Sequence, residues 1–187
     1  KSYSKCMYFI REIKMNKTLT ILTTILISTM CFSQTAFKEE KAGHIFYVSL
    51  PDYMSKTIGL NTSATIQFKN TIKDVAGFII EDNKEELKLA EMNYSSLNEF
   101  YDDFIKDFLM DEDKRKISKP QIKNVGKLNF IESDASYYDK DSKLEIYYFI
   151  GIAETSSDYY KVLCWSTLEN KEKFKSDFQK ILYSIKD

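Results

Sequence analysis

The sequence predicts an α+β fold in which an antiparallel β-sheet is flanked by two amphipathic helices, an α/β/α-type layered sandwich. Two segments, Ser96 to Met110 and Lys171 to Ile185, repeat apolar residues every three or four positions, which is typical of helices with one buried face. Elsewhere, short runs rich in β-branched and aromatic residues alternate with polar turns. Because such short connections join antiparallel neighbours, and each helix must bury its stripe on a sheet, these patterns favour a layered fold.

Three strands are predicted before the first helix. His44 to Leu50 is rich in β-formers and is closed by a proline, which cannot continue a central strand. Apolar and polar residues alternate from Ala64 to Lys69, which indicates a strand with one solvated face, and Val75 to Glu81 follows as its hairpin partner. Gln34 to Gly43 is short and polar, and we expect a flexible lead-in there.

An apolar stripe and an N-terminal capping box predict the first helix. Its apolar stripe consists of Leu97, Phe100, Tyr101, Phe104, Ile105, Phe108 and Leu109. Ser96 and Glu99 have the spacing of a capping box, in which each side chain satisfies a backbone N–H of the first turn. The helix therefore begins at a well-defined position.

The second half of the chain predicts a meander and a closing helix. Its strands are Gln121 to Val125, Lys127 to Glu132, Ala135 to Tyr138, Leu144 to Ala153 and Tyr159 to Thr167. Both faces of Leu144 to Ala153 are apolar, as expected of a central strand covered on both sides. Asn170 is the predicted N-cap of the closing helix.

Residues Met15 to Ser33 have the pattern of a secretory signal peptide. Leu19 to Met30 is an uncharged run of twelve residues that follows a lysine. A membrane-spanning helix needs about twenty apolar residues, so cleavage before Gln34 is favoured over a permanent anchor. We therefore expect one exported domain, residues 44–187, in the periplasm or outside the cell.

Two further features concern the amino-terminal region. Cys31 suggests a lipid anchor, but the bulky Met30 occupies the position where lipidation sites usually carry a small residue, so this alternative is less favoured. Met15 is the expected start of translation, with Met7 as the alternative. Residues 1–14 are accordingly interpreted as an upstream extension outside the fold.

The charge balance argues against a nucleic-acid partner. From Gln34 onward the chain has 22 Lys and Arg against 27 Asp and Glu, a formal charge of about −5. Proteins that bind phosphate backbones normally present a basic face. The basic cluster Lys114 to Lys116 directly follows the acidic residues Asp111 to Asp113, and we interpret the two together as a solvated loop.

The sequence contains no catalytic, cofactor-binding or metal-ligating motif, and we predict neither a cofactor nor a metal. His44 is the only histidine, and no nucleophile elbow or paired-cysteine motif accompanies it. The acidic clusters Asp111 to Asp113 and Asp139 to Asp141 lack the spacing of a calcium loop. Cys164 lies in an apolar run, and we expect its thiol to be buried.

The candidate interaction surface is aromatic. Tyrosine doublets occur on three successive strands, so that one ring of each doublet lies on either side of the sheet. Tyr137, Tyr147 and Tyr159 are the candidate residues of this surface, because a rigid ring with a hydroxyl suits partner recognition. Ordinary cross-strand packing is the alternative.

The order of the elements resembles a known superfamily. The first strand ends in Ser-Leu-Pro51, the first helix has Phe100-Tyr101 at its centre, and the chain closes with Tyr-Ser-Ile185. In this order the elements resemble the PsbP-like superfamily over nearly the whole exported part. The resemblance implies an exported binding or assembly module of the cell envelope, without active-site residues, whose partner is a protein or a small ligand. The alternatives are an envelope enzyme that uses carboxylates and tyrosines, and a structural subunit of an envelope complex.

Overall fold

The computed structural model describes residues 35–43 and 46–186. From Ala36 onward the chain forms one compact unit. The signal-peptide prediction, Cys31 and His44 lie outside the described residues. No helix within the described ranges is long and apolar enough to cross a membrane.

The strands of the described residues form two antiparallel sheets. They are β1 (Phe37–Ala42), β2 (Phe46–Pro51), β3 (Ser55–Lys56), β4 (Ile66–Asn70), β5 (Val75–Asn83), β6 (Asp113–Ile117), β7 (Gln121–Val125), β8 (Leu128–Asp139), β9 (Leu144–Glu154) and β10 (Asp158–Thr167). β1 and β2 form a hairpin, and the others form an eight-stranded sheet in the order β3-β4-β5-β10-β9-β8-β6, with β7 also paired to β8. The mostly antiparallel α+β class predicted from the sequence is confirmed.

Three α-helices accompany these sheets in the described part of the chain. They are α1 (Lys84–Leu89), α2 (Leu97–Asp107) and α3 (Lys171–Tyr183). The hydroxyl of Ser96 accepts a hydrogen bond from the Glu99 backbone N–H at 3.2 Å, as the capping box predicts. The Glu99 carboxylate accepts from the Ser95 backbone N–H at 2.6 Å, one residue earlier than predicted. At the other end of α2, the Arg115 guanidinium donates to the carbonyls of Ile105 and Phe108, which the helix itself leaves unpaired.

One face of the large sheet is covered by α3 and the β1–β2 hairpin, and we call it the α3 face. Its core includes Phe46, Val48, Leu50, Phe68, Ile79, Phe149, Val162, Cys164, Phe174, Phe178, Ile181 and Leu182. Gly151 of the central strand lets α3 approach closely, since a Cβ atom there would lie 2.7 Å from a methyl carbon of Leu182. Cys164 is fully buried, as predicted, and burial raises the pKa of its thiol.

The other face is covered by α2 and the segment before it, and we call it the α2 face. Its core includes Phe78, Leu97, Phe100, Tyr101, Ile131, Ile150, Ile152, Tyr159 and Leu163. The Tyr101 hydroxyl donates to the Ser133 hydroxyl at 2.7 Å, which satisfies two buried polar groups. The outer surface of α2 is exposed and acidic, with Glu99, Asp102, Asp103 and Asp107.

The structure corrects four local predictions. Phe37–Ala42 forms β1 instead of a flexible lead-in, because its backbone pairs with β2 while its charged side chains stay in solvent. The basic cluster lies in β6, an edge strand with a register shift, instead of in a loop. The predicted strands 127–132 and 135–138 are one continuous strand, β8, whose two halves pair with β7 and β6. Asn170 is the N-cap residue of α3, as predicted, but its side chain donates to the Thr167 hydroxyl and makes no capping hydrogen bond.

Candidate binding surfaces

The structure does not bring the three candidate tyrosines together. Tyr147 is 1% exposed and packs on the α3 face, whereas Tyr159 is 3% exposed and packs on the α2 face. Tyr137 is half-buried and stacks on Tyr148, with ring centroids 6.3 Å apart. Because the sheet separates Tyr147 from Tyr159, these rings form no contiguous exposed surface. Each ring lies in a different part of the molecule.

Tyr159 lines a cleft on the α2 face, which we call the aromatic cleft. The cleft has a volume of about 220 Å³ and is lined by Lys84, Leu87, Lys88, Met92, Tyr94, Ser95, Glu154 and Tyr159. The Tyr159 ring stacks on Phe100 at 4.0 Å between centroids, and Tyr94 stands edge-on to Phe100 at 5.1 Å. Such stacked and edge-to-face pairs hold aromatic walls rigidly. The apolar part of the cleft is therefore preformed.

Polar groups fix one wall of the aromatic cleft. The Lys84 ammonium donates to the Glu154 carboxylate at 2.9 Å and to the Thr155 carbonyl at 2.7 Å, and it lies 4.6 Å from the centre of the Tyr159 ring. Burial, followed by the charge of Glu154, raises the pKa of Tyr159. The Tyr94 hydroxyl donates to Asp103 at 2.6 Å, a hydrogen bond that together with burial raises the pKa of Tyr94 to about 12. Both rings therefore stay neutral at physiological pH.

The rim of the aromatic cleft is open and apolar. Met92, which lines the cleft, is 43% exposed. Lys88, also on the rim, has no carboxylate partner among the described residues. An exposed methionine beside a concave site suits a contact with a partner.

Tyr147 belongs to one of three carboxylate–tyrosine pairs that lie beside α3. The Tyr147 hydroxyl donates to Asp134 at 2.8 Å, and the Tyr183 hydroxyl donates to Glu132 at 2.6 Å. The Tyr53 hydroxyl makes a similar bond to Asp177 at 3.0 Å. Burial and the adjacent carboxylate raise the pKa of each of these tyrosines well above its ordinary value.

The carboxylate of Asp134 is the most heavily bonded group among these pairs. Lys175 and Lys171 approach the same Asp134 oxygen at 2.6 Å and 2.9 Å. Burial acts to raise the pKa of Asp134, but hydrogen bonds from Lys175, Lys171 and Tyr147 outweigh it and hold the pKa below its usual range. The pair of cations therefore stabilises the ionised carboxylate in the folded state.

A solved structure shares this arrangement of strands and helices. PsbP (CyanoP) from the cyanobacterium Synechocystis sp. PCC 6803 aligns with a TM-score of 0.56 at 9% identity, over 83% of this chain and 95% of the other. The chain has a PsbP-like fold. LpqN from Mycobacterium tuberculosis, described as involved in cell envelope biogenesis, aligns with a TM-score of 0.49 at 7% identity, over 84% of this chain and 88% of the other. No protein-family model and no curated protein matches the chain.

In this PsbP-like fold, the sequence predicted only part of the aromatic cleft and of the carboxylate–tyrosine pairs. Tyr159 and Tyr147 do line concave sites, but as buried wall residues. Lys84 was missed because α1 is six residues long with no buried residue and gives no periodic signal. Met92 and Tyr94 were missed because they lie in the irregular segment between α1 and α2. The partnership of Asp134 with α3 was also missed, since it joins residues 41 apart in the chain. The clusters Asp111 to Asp113 and Asp139 to Asp141 form no metal-binding group with other described residues.

Replacing Asp134 by Asn in this PsbP-like domain is expected to reduce the free energy of unfolding at pH 7 by about 2 kcal/mol, because two lysines lose their shared anion. The pKa of Asp134 is lowered in the folded state, so its contribution is present above the unfolded value of about 4 and is lost as the pH falls through the folded value. The difference between wild type and variant should therefore shrink below pH 4. Urea titrations at pH 7 and pH 3 measure it, and Asp141→Asn, at an exposed position, is the matched control. An equal difference at both pH values would contradict the assignment.

Proposed function

We propose that the chain is an exported, non-catalytic protein-binding module of the cell envelope, and that the aromatic cleft anchors its partner. The observation that carries this proposal is the preformed cleft of about 220 Å³ with an open apolar rim. The secretory pattern of residues 15–33 supports export, and the PsbP-like fold is compatible with a binding role.

The size of the aromatic cleft favours a protein partner over a small ligand. Pockets that enclose small molecules usually have volumes of about 300 to 1,000 Å³. A smaller cleft suits a single large side chain, and interfaces often gain most of their affinity from one such anchor in a rigid pocket. The exposed side chain of Met92 extends the contact beyond the cleft, and its flexible thioether adapts to the shape of a partner.

The carboxylate–tyrosine pairs are better suited to a structural role than to catalysis. A tyrosine acts as a base or nucleophile only when its pKa is lowered towards the working pH, whereas the pKa values of Tyr53, Tyr147 and Tyr183 are raised. The carboxylates Glu132 and Asp134 are already bonded to lysine and tyrosine side chains. These pairs join α3 to the sheet and are consistent with a structural role.

Site-specific photocrosslinking tests the proposal. A benzophenone amino acid placed at position 92 should give a saturable crosslink to one envelope protein, while the same group at Ile72, which is 97% exposed, should not. Excess unlabelled protein should compete for this crosslink, but a Met92→Glu variant should not, because a carboxylate would be desolvated in an apolar contact. Equal crosslinking from positions 92 and 72, or equal competition by the Met92→Glu variant, would refute the cleft as the anchor site.

A further inference from the structure

A groove runs over β8 on the α3 face, between α3 and β6, and we call it the lysine groove. Two cavities of 520 Å³ and 250 Å³ form most of it, and they share Leu168 as a lining residue. A third, narrower cavity continues it past Asp134. The floor consists of alternate residues of β8 from Tyr138 to Glu132, which a strand rise of about 3.3 Å per residue makes about 20 Å long.

Lysines from both walls line this groove. They are Lys114, Lys116, Lys119, Lys143, Lys171 and Lys175. Lys171 and Lys175 form ion pairs with Asp134. No carboxylate of the described residues pairs with the other four, and Lys114 lies 4.7 Å above the ring of Tyr138. The groove therefore carries unpaired cations along its length.

The carboxylates of the groove are fewer than its six lysines. Four line the cavities: Glu132, Asp134, Glu145 and Glu169. Asp134 already faces two lysines, and Glu132 accepts from Gln179 and Tyr183 and lies 3.5 Å from Lys123. Glu145 and Glu169 lie around the larger cavity with Lys114 and Lys143, so the excess of six lysines over four carboxylates arises towards Lys116 and Lys119. This excess occurs in a chain whose residues after Gln34 carry more acidic than basic groups.

Strand geometry brings these lysines to one surface, although acidic residues lie next to them in the sequence. In β6, Lys116 is paired with Ser136 and so lies on the α3 face, while the guanidinium of Arg115 turns to the end of α2. Lys114 and Lys143 both have positive φ angles, of 53° and 60°, in the register shift of β6 and the β8–β9 turn. The strand and the turn thus deliver lysines to the same groove from different parts of the chain.

We propose that the lysine groove binds an extended acidic segment of another polypeptide. Its floor of about 20 Å matches about six residues of extended chain, and its cations lie where carboxylates of such a segment would be. Leu144, which is 45% exposed, and Leu168 add apolar contacts that suit polypeptide side chains more than a phosphate polymer. The groove lies on the opposite face of the sheet from the aromatic cleft, so the two proposals stand independently.

Fluorescence anisotropy with a labelled octaglutamate peptide tests this proposal, on protein purified after expression of the full chain. The wild type should bind octaglutamate with an affinity that falls as salt is raised, and should not bind octaglutamine. A Lys114→Glu/Lys116→Glu/Lys143→Glu variant should lose at least tenfold in affinity. A Lys69→Glu/Lys73→Glu/Lys106→Glu variant has the same change in net charge at exposed positions outside both the groove and the aromatic cleft, and should stay within twofold of wild type.

Four results would overturn the proposal. Equal weakening in both triple variants would mean that net charge, and not the groove, attracts the peptide. Polyphosphate that binds as tightly as octaglutamate would assign the site to polyanions in general. Self-association of the wild type at low salt, abolished in the groove variant, would assign it to a second copy of this chain. Loss of solubility in the groove variant, without peptide binding by the wild type, would assign the lysines to protection of the edge strands.

Discussion

Phe178→Ala is expected to lower the free energy of unfolding by about 4 kcal/mol, since a fully buried aromatic side chain would be replaced by a cavity. Phe178 joins α3 to the sheet through ring contacts with Phe149 and Tyr147, both at 6.4 Å between centroids. For a domain of this size the melting temperature should fall by about 12 °C. Thermal unfolding followed by circular dichroism measures the change.

The control for Phe178→Ala is Phe104→Ala, a substitution of the same type on a helix. Phe104 is only half-buried, near the end of α2. Its loss should therefore cost about half as much, because less apolar area leaves solvent on folding. Equal losses for the two variants would contradict the assignment of α3 as the more deeply packed helix.

Gly77→Val is expected to destabilise the fold by about 3 kcal/mol through overpacking, with a fall in melting temperature of about 9 °C. A Cβ atom at position 77 would lie 2.6 Å from the Phe68 ring, 2.8 Å from the Cys164 sulfur and 2.9 Å from the Leu163 carbonyl oxygen. The carbonyl belongs to the backbone of β10 and cannot rotate away. The sheet itself must therefore shift to admit the side chain.

Gly126→Asn is the control for Gly77→Val. Gly126 has a φ of 63°, which asparagine tolerates, and no atom would lie within 4 Å of its Cβ. We expect a loss below about 1 kcal/mol, measured by urea unfolding. A Gly77→Val variant as stable as Gly126→Asn would show that β4, β5 and β10 pack less closely than described.

Local patterns in the sequence predicted the regular elements well. The stripe and cap of Ser96 to Met110 predicted α2. Alternation predicted β4, and the turn after it predicted β5 as its hairpin partner, both with ends within two residues of those observed. β1 and β6 were missed for the same physical reason. Both are exposed at a sheet edge and are held by backbone pairing. Their mostly charged side chains therefore give no apolar strand pattern in the sequence.

The candidate surfaces were harder to predict than the fold. A tyrosine doublet shows that one ring lies on either side of a strand, but the element that covers each ring comes from elsewhere in the chain. Tyr147 is buried by α3, and Tyr159 by residues preceding and within α2. The sequence likewise cannot show that Arg115 turns to α2 while Lys116 turns away from it, because a register shift decides this.

The sheet places the exposed acidic surface of α2 and the lysine groove on opposite sides of one thin domain. Separated charges of opposite sign give the molecule an electric dipole that points across the sheet. A charged partner would exert a torque on this dipole within about 8 Å of contact, the screening length at physiological ionic strength. We therefore expect a charged partner to meet one side of the domain in preference, which would shorten the rotational search that otherwise limits association.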